Sequence, residues 1–85
     1  MDTELLTFAE EFLDSCGGAR PGTCYVASWN VRDEFGIALV EGTFDGTCHT
    51  WNVMPDGRIF DVTHGQFDGG PPRFFPADAP GFEPK

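Results

Sequence analysis

Between Asp2 and Gly18 the apolar residues Leu5, Phe8, Ala9, Phe12, Leu13 and Cys16 recur at intervals of three and four, with acidic side chains between them. That spacing puts them on one side of an α-helix and predicts an amphipathic helix stopped by Gly17-Gly18. Asp2 or Thr3 is the expected N-cap, a short oxygen-bearing side chain that accepts from the unpaired N–H groups of the first turn. Cys16 closes the stripe and reads as a small buried hydrophobe. After the tight loop Ala19-Arg20-Pro21-Gly22, Thr23 is the expected cap of a second helix running from about Cys24 to Glu34. Its stripe is Cys24, Ala27, Ser28, Val31 and Phe35, small enough at Ala27 and Ser28 for close packing, and Gly36 closes it.

Beyond Gly36 the periodicity changes from helical to alternating. Ile37 to Glu41, Thr47 to Met54 and Arg58 to Thr63 read as strands, broken by Gly42 with Asp45-Gly46 and by Pro55-Asp56-Gly57. The fold class is therefore α+β, two N-terminal helices packed on a small antiparallel sheet. From Asp68 onward five of the seven prolines occur, in Gly-Gly-Pro-Pro and Ala-Pro-Gly contexts that are not expected to continue a sheet or helix. The predicted organisation is a single domain over residues 1–67 and a Pro/Gly/Phe-rich tail over 68–85, with Phe74, Phe75 and Phe82 available to wrap onto the domain. No internal repeat is visible.

Composition narrows the functional classes. Eighty-five residues leave room for one domain near the size where stability is marginal, and nine Phe, two Trp and one Tyr supply the large buried area such a core needs. A formal charge of −9 repels phosphate backbones and argues against nucleic acid as a partner, while favouring a basic protein partner. No apolar run spans a bilayer, and Met1-Asp2-Thr3-Glu4 lacks the basic start of a signal peptide, so the expected location is cytoplasmic, without membrane association. Three cysteines leave at least one thiol unpaired in any disulfide scheme, and a reducing compartment keeps all three free.

One of those thiols is placed for chemistry. Cys24 falls in the predicted first turn of a helix, where unpaired N–H groups and the helix dipole favour the thiolate. Its own N–H is a candidate oxyanion donor. His49 starts an alternating stretch that places His49, Trp51 and Val53 on one strand face, and a neutral imidazole there can take and return a thiol proton. Asp61, between Phe60 and Val62, needs a partner if ionised and buried. The turn decides whether that partner is His49. If Pro55-Asp56-Gly57 forms a three-residue loop, Met54 pairs with Arg58, Val53 with Ile59 and Trp51 with Asp61, so His49 and Asp61 share a face as diagonal neighbours. A two-residue Asp56-Gly57 turn would put Asp61 on the other face. Alternatively Asp61 ends its strand and caps the Thr63-His64-Gly65 turn.

The string Cys24-Tyr-Val-Ala-Ser, His49-Thr-Trp-Asn, Gly57-Arg-Ile-Phe-Asp61-Val-Thr and Gln66-Phe67 resembles papain-fold thiol proteins of the transglutaminase-like and bacterial or phage deamidase-like kind, over Thr23 to Phe67. The resemblance implies a minimal papain/transglutaminase-like core with Cys24, His49 and Asp61 as catalytic residues, no cofactor, and a peptide or side-chain amide as substrate. It also implies a second oxyanion donor. No Gln or Asn precedes Cys24, which leaves Thr23, Trp51 or Gln66 as substitutes and departs from the papain pattern. The short chain would lack cleft walls, which either a second subunit in a homo-oligomer supplies or a small or flexible substrate does without.

The expected activity is thiol-dependent acyl transfer by an amidase, deamidase, peptidase or transglutaminase-like enzyme. Two rivals differ in class. Cys16, Cys24, Cys48, His49 and His64 are possible zinc ligands, but they lack Cys-x-x-Cys or His-x3-His spacing, and adjacent Cys48 and His49 point to opposite strand faces, so no metal is expected. The other is a non-catalytic acidic binding or inhibitor protein of the kind phages encode, masking a basic surface.

Overall fold

The chain, described over residues 1–85 by a computed structural model, begins with helices α1, Asp2–Cys16, and α2, Thr23–Phe35. Both end on a glycine in the left-handed region: Gly17, at φ 86°, donates its N–H to the Leu13 carbonyl, and Gly36, at φ 70°, donates to Arg32. A Cβ disfavours that backbone conformation, which is why glycine stands at both stops. The expected side-chain caps do not form. Met1 and Gly22 occupy the N-cap positions, and Asp2 and Thr23 are already helical. The Asp2 carboxylate is instead taken by Arg58, which donates two hydrogen bonds to it at 2.9 and 3.2 Å. Cys16 is half-buried rather than buried, its thiol turned to the Leu13 carbonyl at the helix end.

Five strands follow: β1 Ala38–Phe44, β2 Thr47–Val53, β3 Ile59–Asp61, then, after the single turn α3 Gly65–Asp68, β4 Arg73–Phe75 and β5 Phe82–Pro84. They form one sheet in the order β4-β3-β2-β1-β5 with every neighbour antiparallel. The predicted break at Gly42 does not occur, and β1 runs through it. A Cβ on Gly42 would collide with the Glu83 carbonyl and the Cα of Pro84, so the missing side chain is what lets β5 lie against β1. The turn comes at Asp45-Gly46, both at positive φ (48° and 82°), the two-residue hairpin whose twist matches its strands.

The second hairpin takes the three-residue form. Gly57 donates to the Met54 carbonyl at 2.9 Å, Met54 to Arg58 at 2.8 Å, and Gly57 sits at φ 94°. The pairs Val53 with Ile59 and Asn52 with Phe60 are the register of that loop. The residues after Asp68 do not stay out of the sheet as their prolines predict. Pro71-Pro72 and Pro76 bracket β4 without entering it, and Pro84 ends β5; as an edge strand, β5 tolerates a residue that cannot donate.

This register gives the sheet two unlike faces. Against the helices lie Phe60 and, through its pairing with Phe60, Phe74; they join Leu5, Ala9, Ala27, Val31, Ile37, Met54 and Val62 in the main core. On the other face, positions alternating with these carry His49, Trp51 and Asp61, with Phe44, Phe75 and Phe82 brought over them by β1, β4 and β5.

Candidate active site

Asp61 is the last residue of β3 and is fully buried. Its Oδ2 accepts from His49 Nε2 at 2.8 Å, so the three-residue turn brings β3 and β2 into the register that joins them. Two imidazoles share that oxygen: His64 Nδ1 lies 2.9 Å from it. The chain turns back immediately after β3, with Gln66 N–H donating to the Thr63 carbonyl and Phe67 to His64, which folds His64 under the carboxylate three residues before it in sequence. Asp61 thus both ends its strand, engaging the Thr63-His64-Gly65 turn, and holds His49. A buried carboxylate requires such donors, and two make it a fixed anchor for the His49 ring.

An aromatic cage excludes water from this pair. The His49 ring packs edge-on to Phe67 at 4.9 Å between centroids, and His64 meets Phe44 at 4.5 Å and Phe75 at 4.7 Å. His49 and His64 are 2 % and 5 % exposed. On its outer side His64 Nε2 lies 3.9 Å from Asp68, itself paired to Arg73 at 2.6 Å. The Arg73 pair and the Gly70 N–H hold the Asp68 carboxyl down at about 2.

Cys24 comes to His49 from the helix layer. It occupies the first turn of α2, is buried, and its thiol lies beside the imidazole. Contact with His49 lowers the thiol's pKa, burial opposes this, and the nearby backbone and hydroxyl of Thr50 lower it further. For His49 burial works against the cation, but the bond to Asp61 and then the thiol raise its pKa from 6.5 to about 9. Both directions favour a thiolate beside an imidazolium, the activated form of a cysteine nucleophile. With Nε2 held by Asp61, Nδ1 is the ring nitrogen left for the thiol; it has no partner in good hydrogen-bonding geometry, and Asp61 Oδ1 is likewise orphaned. Unsatisfied buried atoms are uncommon in packed interiors, and a catalytic role is one of the reasons that leave them so.

In front of the thiol is an open cleft of about 450 Å³ bounded by Gly22 and Cys24 on the helix side and by β1, β2 and β5. Thr23, Trp51 and Gln66, the expected substitutes for a second oxyanion donor, do not line it. Thr23 is half-buried at the start of α2, Trp51 is buried against Phe82 on the sheet's other face, and Gln66 lies in α3 with its Oε1 enclosed. Strand alternation explains the Trp51 result, since Trp51 shares the face of His49 while Thr50 turns toward α2. Thr50 and His64 are the site residues the motif omits. Thr50 was accessible from alternation alone, as the neighbour of His49 on the helix-facing side. His64 was accessible only as a residue three past Asp61 in a turn.

His49, Asp61 and His64 also form a set whose donor atoms lie within 4.8 Å of one another, the chemistry of a two-histidine, one-carboxylate metal site. As placed, both imidazoles bond directly to one carboxylate oxygen, and a metal at ligand distances of roughly 2.0–2.2 Å would have to replace both hydrogen bonds. Cys16, Cys24 and Cys48 take no part in this cluster.

The family model described as YunG protein matches residues 15–79, most of the chain, and the chain belongs to that family. The match overturns the resemblance to papain-like and transglutaminase-like proteins, neither of which is the family found, and with it the minimal papain/transglutaminase-like label on the fold. The physical reason is that a cysteine, a histidine and an aspartate in that order, each with two or three neighbours, describe a site rather than an ancestry, since one catalytic geometry recurs on unrelated folds. No curated protein and no solved structure matches the chain significantly.

Proposed function

We propose that this YunG family member is a thiol-dependent acyl-transfer enzyme in which Cys24 is the nucleophile, His49 the proton carrier and Asp61 the group that orients it. The observation that carries the reading is the placement of the Cys24 thiol beside an imidazole that a 2.8 Å bond ties to a buried carboxylate, Asp61. Cys24 Sγ attacks the carbonyl carbon of a peptide or side-chain amide. As the tetrahedral centre collapses, the C–N bond breaks and the proton held on His49 passes to the leaving amine, leaving a thioester on Cys24. Water then attacks the thioester, His49 taking its proton and returning it to the sulfur, which gives an acid; an amine in place of water gives a new amide. The Cys24 N–H, in the first helical turn without an intrahelical acceptor, is the first oxyanion donor.

The test is competitive alkylation by stoichiometric iodoacetamide below pH 8, mapped by mass. Cys48 is exposed and Cys24 buried, so accessibility alone favours Cys48. Faster modification of Cys24 therefore measures activation. Equal, slow modification of all three thiols would overturn the enzyme reading.

No helix of the chain is long and apolar enough to cross a membrane, and we read the protein as cytoplasmic. A second reading, an acidic binding or inhibitor protein with a basic partner, has one observation in its favour: Tyr25, Val26 and Trp29 are exposed together on α2. Full partner binding by Cys24→Ala, alongside inert thiols in the wild type, is the result that favours it.

A further inference from the structure

The sheet register determines what the cleft offers a substrate. Glu41 pairs with Thr50, and the row Cys48, Thr43, Glu83 crosses β2, β1 and β5. Because paired positions share a face, Glu41 and Glu83 stand on the same side of the sheet as Thr50, the residue that touches the Cys24 thiol. All of these line the cleft. Neither glutamate forms an ion pair anywhere in the structure. The other carboxylates near the site are spoken for: Asp61 by two imidazoles and Asp68 by Arg73. Lys85, the one lysine of the cleft lining, is likewise free of ion pairs, and with the His49 imidazolium balanced by the Cys24 thiolate the lining stays net negative. His49, also on the lining, turns its Nδ1 to the Cys24 thiol, so the reacting pair and the two free carboxylates face one cleft.

We propose that the cleft selects a cationic acyl substrate, a peptide or amide bearing a lysine-like or arginine-like side chain beside the carbonyl that Cys24 attacks, with Glu41 and Glu83 receiving the positive charge. The proposal rests on the acyl-transfer reading of the same site. Two unpaired carboxylates on a concave wall concentrate cations and speed their arrival, while they repel an anionic substrate. The two glutamates stand on separate strands that Gly42 allows to pair, so the charge pair exists only because β5 closes onto β1.

The test uses three methanethiosulfonate reagents of similar size, one carrying trimethylammonium, one sulfonate and one uncharged, with the modification rate read separately at each cysteine by mass mapping. Taking the cation-to-anion ratio at Cys24 cancels any change in thiolate fraction. The expected ratio in the wild type is about tenfold or more, within the range that charged clefts impose on association rates. Glu41→Gln/Glu83→Gln is expected to bring it several-fold toward one, each single variant accounting for part of the fall. Glu10→Gln/Glu11→Gln, which removes the same charge from the exposed side of α1, is expected to leave it in place. A wild-type ratio near one, or an equal fall in both double variants, overturns the proposal, the latter by assigning the preference to the net charge of the whole chain. If Cys24 reacts no faster than Cys16 and Cys48 with the uncharged reagent, it is the acyl-transfer reading that fails, and the two failures are read from different columns of the same experiment.

Discussion

The two faces of the sheet are built from the same strands and obey different rules. On the helix side the enclosed residues are mainly aliphatic, with Ser28, Thr50 and Asn52 as the polar exceptions, the last donating its amide to the Ser28 and Ala38 carbonyls at 3.0 and 3.3 Å. On the opposite side a carboxylate and two imidazoles are enclosed by aromatic rings. The first face can relax around a substitution, because hydrophobic contact is non-directional and only volume and shape must be met. The second cannot, because each polar group is held by one or two directional bonds in a place that water does not reach. Stability should therefore be concentrated on the helix face and activity on the aromatic face, with Cys24 bridging the two.

The strongest way to break this contrast is to empty the helix face. Phe60→Ala removes a fully buried ring stacked at 4.7 Å on Phe74 and is expected to cost roughly 3–5 kcal/mol in urea unfolding, a large share of the stability of a domain this small. A loss under about 1 kcal/mol would show that this face is not the principal core. Asp61→Asn keeps the volume and removes the charge that anchors both imidazoles; Cys24 alkylation at neutral pH is expected to slow by about 10²-fold or more, the scale of a misoriented proton carrier. If the rate is unchanged, Asp61 is an ordinary strand end.

His64→Gln separates the second imidazole from the first. It is expected to slow Cys24 by about tenfold, since a hydrogen bond to a charged group is worth roughly 1.5–3 kcal/mol and His49 retains its own. His64 acts through Asp61, so the accompanying readout is the pH dependence of the alkylation, which should move with the variant; loss of rate at an unmoved profile would mark a packing role only. Gly42→Ala tests the edge shared by both faces. Its Cβ meets the backbone of β5, and the expected destabilisation is about 1–3 kcal/mol with faster amide exchange at Phe82, Glu83 and Lys85, whose N–H donates to the Glu41 carbonyl.

The finest test is a slope with pH. His49 has its folded pKa raised from 6.5 to about 9, so its charged form is favoured in the folded chain. That contribution is complete below pH 6.5 and disappears as pH rises through 9. In a Cys24→Ser background, which removes the thiol whose lowered pKa acts in the opposite sense, the stability difference between His49 and His49→Gln is therefore expected to narrow between pH 6.5 and 9; a gap that widens over that window would contradict the pairing of His49 with Asp61.

How much of this was readable before folding depends on the range of the interaction involved. The α1 stripe from Leu5 to Leu13, the glycine stops at Gly17 and Gly36, and the Pro55-Asp56-Gly57 turn are consequences of local sterics and periodicity, which a short window of sequence contains. From that turn the shared face of His49 and Asp61 followed by counting. The caps were misplaced because Asp2 is claimed by Arg58, fifty-six positions away, a competitor no local rule includes. Gly42 looks like a strand break in isolation and is a strand interior only because Glu83 and Pro84 arrive against it.

By itself, then, the sequence determined the two helices, the hairpin register and the side of β2 on which His49 lies, since these depend on residues near one another along the chain. The tertiary structure alone decided that Cys24 reaches His49 from the helix layer, that Thr50 rather than Thr23, Trp51 or Gln66 meets the thiol, and that His64 shares Asp61. It also decided that the Pro-rich residues after Asp68 close both edges of the sheet. Those outcomes depend on which distant segments pack together, and packing is chosen by the combined burial of the whole chain rather than by any one stretch of it.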